Sequence, residues 1–303
     1  MVGIEYQRIE IPVEGGVLAA GRWGSGGRVA VASHGITANP LSWQRVAERV
    51  VERSAGEVSV VAVDHRGRGG SAGLPGPFGM ATHGDDVIAV LDHLGLRSAP
   101  LLGHSMGGFV VAAAAERHPD RVERLVLVDG GYPFPLELPD DADVEAVVQS
   151  VIGPALDRLD QRWPDVEAYV DFFRSHPAFR PPNLWSEAAE AYVRHDAVAA
   201  DDGGIRSSVS KEAVLVDGGA AIVDPATSSA IERVSVPAVL LWAPRGLLDQ
   251  TPGLYPPDVV AAAADALAHL TETMVADANH YTILVGDAGA DRVAEAVVAP
   301  ATV

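Results

Sequence analysis

The sequence predicts an α/β fold, a mostly parallel sheet flanked by helices and interrupted by a helical cap insertion. Three observations carry this. Short apolar runs rich in valine alternate with longer stretches of helical periodicity. Several of the short runs end in glycine, as strands do where they turn into a loop. The alternation stops after Gly131 and resumes at Val236. A chain of 303 residues, 48% apolar, suits one large domain carrying a sizeable insertion.

The elements follow in order. RVAVASHG (28–35) and VSVVAVDHRG (58–67) read as strands, and WQRVAERVVERS between them has apolar residues at helical spacing. This is a strand, helix, strand unit of the parallel kind. MATHGDDVIAVLDHLG (80–95) reads as a helix and APLLGHS (99–105) as a short buried strand. GGFVVAAAAERHPDRV (107–122) is an alanine-rich helix that stops near Pro119, and RLVLVDGG (124–131) is the next strand. Sheet patterning returns with VPAVLLWAP (236–244), a helix near 258–270, a strand ETMVAD (272–277) and a closing helix AGADRVAEAVVA (288–299). Residues 1–132 and 231–303 therefore form the core, and 133–230 form the cap. The cap carries three apolar stripes: Val144, Val147, Val148 and Val151; Val166, Tyr169, Phe172 and Phe173; and Leu184, Trp185, Ala188 and Tyr192. Seven of the chain's 17 Phe, Trp and Tyr residues lie between 163 and 192, where they either wall an apolar substrate or pack the cap helices together.

Composition narrows the function classes. A formal charge of −19 argues against nucleic acid as a partner, because phosphate binding wants a basic surface. With no cysteine there is no disulfide, thiol nucleophile or thiolate metal site. The ten histidines are scattered without metal-ligand spacing, so no metal is expected. The N-terminus lacks a signal-peptide pattern, and no apolar run is long enough to span a membrane. The expected location is the cytoplasm. Oligomeric state leaves no trace in the sequence.

The chemistry gathers around Gly103-His104-Ser105-Met106-Gly107, a Gly-x-Ser-x-Gly pattern between a buried strand and a helix. A serine on such a turn projects its hydroxyl out of the sheet, and the helix start supplies unpaired N–H groups to a developing anion. Serine needs a base, and His280, in ADANHYTIL, follows the last strand at the carboxyl edge of the sheet. The base in turn needs an acid to fix its tautomer. Asp249, in PRGLLDQTP, is favoured, and Asp129, at the end of RLVLVD, is the alternative. Both keep the chain order Ser, Asp, His. Among the other histidines, His104 packs beside the serine, His34 shapes the pocket or holds a loop, and His118 and His269 read as helix-surface residues.

These stretches resemble the α/β-hydrolase superfamily, in its cap-bearing branch of esterases, lactonases and carbon–carbon bond hydrolases. The resemblance rests on His34-Gly35, DHRGRGGS (64–71), GHSMGG (103–108), GLLD before a proline, and NHY (279–281). It implies an eight-stranded sheet, Ser105 as nucleophile, His280 as base and Asp249 as the usual acid, with the backbone N–H groups of Ile36 and Met106 as oxyanion donors. Some relatives place the acid one strand earlier, where Asp129 stands. The family's epoxide hydrolases and haloalkane dehalogenases carry aspartate at the nucleophile position, so serine here points away from both. Thr37 and Asn39 are expected to line the pocket. The implied reaction is hydrolysis of a carboxylic ester or lactone of an apolar or aromatic small molecule, with no cofactor. Cleavage of a diketone-like carbon–carbon bond, with Arg245 as a carboxylate anchor, is the alternative, and a non-catalytic ligand-binding module is a third.

Overall fold

The computed structural model describes residues 4–138, 142–180 and 185–300. Its main sheet has eight strands. They are β1 (Tyr6–Val13), β2 (Gly16–Trp23), β3 (Arg28–Ser33), β4 (Val58–Val63), β5 (Ala99–His104), β6 (Val122–Val128), β9 (Ala238–Trp242) and β10 (Leu270–Met274), in the order 1-2-4-3-5-6-9-10. The hairpin β1–β2 is antiparallel, and β2 runs antiparallel to β4. Every other pairing in this sheet is parallel.

The valine-rich runs are continuous because both faces of the sheet are covered. On one face Val31, Leu101, Leu125 and Leu127 pack with α2 (Met80–His93), α3 (Met106–Arg117) and α9 (Pro257–Ala266). On the other, Ala32, Leu102, Val126 and Val128 pack with α1 (Gln44–Arg53) and α11 (Asp287–Val298). Successive residues of one strand thus enter opposite cores. Each fully buried Val or Leu contributes about 1.5–3 kcal/mol. The structure ends α3 at Arg117, before the Pro119 turn, and puts β10 two residues earlier than the sequence pattern suggests.

Between β6 and β9 lie α4 (Val144–Arg158), α5 (Val166–Arg174), α6 (Glu187–Asp196), α7 (Lys211–Gly218), a π-helical turn (Gly219–Val223) and α8 (Pro225–Ser228). This segment is not wholly helical. β7 (Ala197–Ala199) and β8 (Ile205–Ser207) form an antiparallel ribbon outside the main sheet. Asp143, Asp165, Ser186 and Ser210 cap the N-termini of α4 to α7 with their side chains. The aromatic residues of the segment mostly meet each other: Trp163 packs on Tyr169 and Phe172, and Phe173 on Tyr169, Phe179 and Tyr192. Leu184 lies outside the described residues. A short helix, α10 (Thr282–Val285), links the loop after β10 to α11. No helix among the described residues is long and apolar enough to cross a membrane.

Candidate active site

Ser105 occupies the single residue between β5 and α3, at φ 53°, ψ −124°. Non-glycine residues rarely hold such a conformation, which costs roughly 1–3 kcal/mol and persists only where the surroundings enforce it. Here they do. The Ser105 N–H donates to Val128 O at 3.0 Å, and Ser105 O accepts from Gly108 N at 2.9 Å. Backbone packs so closely that Cβ atoms have no room at the neighbouring glycines. One at Gly103 would lie 2.3 Å from Gly107 O, one at Gly107 2.1 Å from Ser33 O, and one at Gly130 2.2 Å from Ser105 O. Gly130 was not singled out by sequence pattern; the GG pair after Asp129 is the signal that could have found it.

His280 is buried on the loop after β10. Its Nδ1 lies 2.7 Å from Asp129 Oδ2. A carboxylate only accepts, so Nδ1 carries the proton and Nε2 is the nitrogen left for a hydroxyl proton. Asp129 follows β6 at φ 46°, fully buried, and its other oxygen accepts from Ala243 N at 3.1 Å. His104 stacks on His280 with ring centroids 4.6 Å apart and donates from Nε2 to the His280 carbonyl at 2.9 Å. Burial, and next the neighbouring His280, push the His104 pKa well below the ordinary histidine value, so this ring stays neutral. It fixes the His280 backbone while Asp129 fixes the ring.

The preference for Asp249 is not met by this geometry. Asp249 accepts from Asn279 Nδ2 at 2.9 Å and pairs with Arg245 Nε at 3.2 Å. The turn that carries it closes on itself through Gly246 N to Gln250 O at 2.8 Å, which holds the carboxylate against Asn279, the neighbour of His280. Asp129 is better placed because β6 lies directly beside β5, the strand that delivers Ser105. Asn279 in turn accepts from the N–H groups of Tyr281 and Thr282, so Asp249 acts on the histidine loop from outside. Arg245 also donates to the carbonyls of Ala278 and Asp277, and it is absent from the cleft lining.

Ser105 and His280 lie where two apolar lobes of one cleft meet. One lobe, about 40 Å3, is lined by Thr37, Ala155, Tyr192, Tyr281 and Leu284 among others. The other, about 20 Å3, is lined by Phe109, Phe134, Val151, Ala221 and Leu254. Ile36, Ile152 and Leu247 border both. Neither lining includes Lys, Arg, Asp or Glu. Of the seven aromatic residues from 163 to 192, only Tyr192 faces the cleft, so that cluster chiefly packs its own helices. Among the described residues the N–H groups of Ile36 and Met106 have no hydrogen-bond acceptor. Thr37 lines the cleft, whereas Asn39 does not: its side chain ties Leu41 N to the Tyr192 carbonyl. His34 holds a loop, bridging Gly35 O and His65 N. His118 pairs with Asp85 at the surface, and His269 stands just before β10, not on a helix, and bonds Ile231 O. No cluster of metal-ligating side chains occurs among the described residues.

A family model described as alpha/beta hydrolase fold matches residues 31–287. A proposed carbamate hydrolase, RutD, of Caulobacter sp. (strain K31) is 36% identical over 34% of this chain and 37% of its own length. N-formylmaleamate deformylase of Pseudomonas putida is 35% identical over 46% of this chain and 52% of its own length. The chain thus matches about half or less of these curated relatives. Among solved structures, an E-2-(acetamidomethylene)succinate hydrolase superposes with a TM-score of 0.75 over 97% of this chain and 99% of that one, at 20% identity.

Proposed function

The chain belongs to the α/β-hydrolase fold family, and from that premise we propose that it is a serine hydrolase of small, neutral, mostly apolar carboxylic esters or lactones. The observation that carries this reading is the Asp129–His280 hydrogen bond at the cleft that Ser105 enters on a strained turn. His280 Nε2 takes the Ser105 proton as Oγ attacks the carbonyl carbon. Negative charge then develops on the carbonyl oxygen, facing the free N–H groups of Ile36 and Met106. The imidazolium, stabilised by Asp129, protonates the leaving alcohol. Water, deprotonated by the same ring, hydrolyses the acyl-enzyme and restores the serine.

The uncharged lining supports a neutral substrate, because a buried carboxylate would find no cation there. That weighs against the acidic carbon–carbon substrates denoted by relatives' names, such as 2-hydroxymuconate semialdehyde hydrolase of Pseudomonas putida. Arg245, the residue expected to anchor a carboxylate, is spent on Asp249 and two carbonyls. The helical segment between β6 and β9 supplies Ile152, Ala155 and Tyr192 to the cleft wall, which supports its role as a cap. The test is a fluorophosphonate label followed by peptide mapping, with a panel of neutral esters, lactones and half-acid esters. Ser105 takes the label, Ser105→Ala loses turnover, and neutral short-chain esters outrun half-acid analogues at least about tenfold. Labelling elsewhere, or a preference for the acids, refutes the reading.

A further inference from the structure

The loop Asp64–Ser71 holds a charge that the triad does not use. Arg68 is fully buried. Its Nε donates to Ile36 O at 3.1 Å, and its Nη1 donates to Arg66 O at 2.9 Å and to Asp217 Oδ2 at 2.5 Å. Its Nη2 lies 3.9 Å from Met106 Sδ. One guanidinium therefore touches both of the residues read as oxyanion donors, which border the cleft and whose N–H groups lack an acceptor among the described residues. Asp217 comes from α7, in the segment between β6 and β9, and is also fully buried. Its oxygens accept from Gly79 N at 2.6 Å and lie 3.0 Å from His83 Nε2. Burial alone would raise the Asp217 pKa, but His83 and Arg68 outweigh it and hold it at about 2, so the ion pair persists at neutral pH.

The same loop is joined to the cap segment by backbone. Ser210 N donates to Gly67 O at 2.7 Å, and Gly69 N donates to Ser208 Oγ at 3.1 Å. At the end of α7, a Cβ on Gly218 would lie 3.5 Å from Ile36 Cδ1. The arginine is thus a joint between the cap segment and the loop bearing Ile36.

We propose that Arg68 is a positioning residue for the oxyanion site, completed by Asp217, so that this buried ion pair, and not the cap's other contacts with the core, sets turnover. This rests on the reading of Ile36 and Met106 as oxyanion donors. Arg68 fixes the Ile36 carbonyl, and through that peptide's neighbour it fixes the direction of the Ile36 N–H. A Lys at 68 keeps the charge but lacks the planar fork that reaches Ile36 O and Asp217 together.

The experiment compares wild type, Arg68→Lys, Asp217→Asn and Ser208→Ala. Active sites are counted with the fluorophosphonate, so that unfolded protein drops out of kcat. Turnover of p-nitrophenyl acetate, inhibition by phenylboronic acid and thermal melting are measured on each. Arg68→Lys and Asp217→Asn lower kcat about 10- to 100-fold per site and weaken the boronate in parallel, as expected for lost oxyanion geometry. KM moves by less than about threefold. Ser208→Ala, which breaks a cap contact without touching Arg68, lowers the melting temperature but holds kcat within about twofold. Per-site kcat and boronate affinity unchanged in the first two variants overturn the proposal and leave Arg68 a structural pin. An equal kcat loss in Ser208→Ala overturns it as well. A wild type that takes no label and turns over no ester sinks the serine-hydrolase reading itself, a result distinct from either.

Discussion

Two aspartates stand near one histidine loop, and their contacts divide the work between them. Asp129 meets the His280 ring at Nδ1, whereas Asp249 meets the Asn279 amide one residue away. Replacing Asp129 by Asn presents an N–H or a weaker acceptor to the ring and favours the wrong tautomer. In the serine-protease triad that change lowers kcat by about 10⁴, and a similar loss is expected for Asp129→Asn with KM little changed. Asp249→Asn keeps an acceptor for Asn279 and loses the ion pair with Arg245, so about a tenfold loss of kcat or less is expected. Steady-state kinetics on both variants, with sites counted by the phosphonate, decide the matter. A crippled Asp249 variant beside a near-normal Asp129 variant would return the acid to residue 249. The sequence reading favoured Asp249, but chain order does not separate the two residues, because both keep the order Ser, Asp, His and both follow strands at the same sheet edge. The ranking depends on which strand lies beside β5, and that is a matter of topology.

At the scale of elements, the elbow works because β5, α3 and the β6 turn share space that only glycine leaves free. Gly130 has no positive φ, so its requirement is purely steric: a Cβ would lie 2.2 Å from Ser105 O and 2.4 Å from Ser105 Cα. Neither atom can yield without moving Ser105. Gly130→Ala is expected to destabilise the fold by about 3 kcal/mol or more and to lower per-site kcat at least about 100-fold. Gly73→Ala is the matched control, since a Cβ there meets nothing within 4 Å. Chemical denaturation and kinetics on the pair test this, and normal turnover in Gly130→Ala would show that the elbow tolerates displacement. The elements legible in the sequence were the short valine-rich strands β3 to β6, β9 and β10, marked by length and glycine endings, and the helices α1 to α3, α9 and α11 and the cap stripes, marked by helical period. The hairpin β1–β2 was missed because its outer strand is half exposed and reads as mixed polarity. The ribbon β7–β8 was missed because its strands are three residues long. Arg68 gave no warning either, since an arginine in a glycine-rich loop looks solvent-bound until Asp217 is folded over it.

Across the whole molecule, the polar interior carries an acid sensitivity whose sign can be worked out. His34, His65 and His104 are buried, and for each the cost of burying a charged ring comes first in pulling its pKa below the ordinary value near 6.5. Folded protein therefore keeps them neutral at pH values where the unfolded chain protonates them. The unfolded state then binds more protons, so stability rises with pH and is lost as pH falls below about 6.5. Each buried ring therefore withdraws stability as pH falls from 7.5 to 5.5, and the three act in the same direction. The melting temperature is therefore expected to fall steadily across that window. The carboxylates act elsewhere on the scale. Asp64 and Asp217 are held below the usual aspartate range, Asp217 at about 2, so their contribution is intact above pH 4 and fades only below it. The window from 7.5 to 5.5 thus isolates the histidines. Calorimetric melts at half-unit steps, paired with NMR titration of the histidine ring protons in the folded protein, measure both sides of the linkage. A flat melting temperature over that window, or three rings that titrate near 6.5 while the protein stays folded, would overturn the argument.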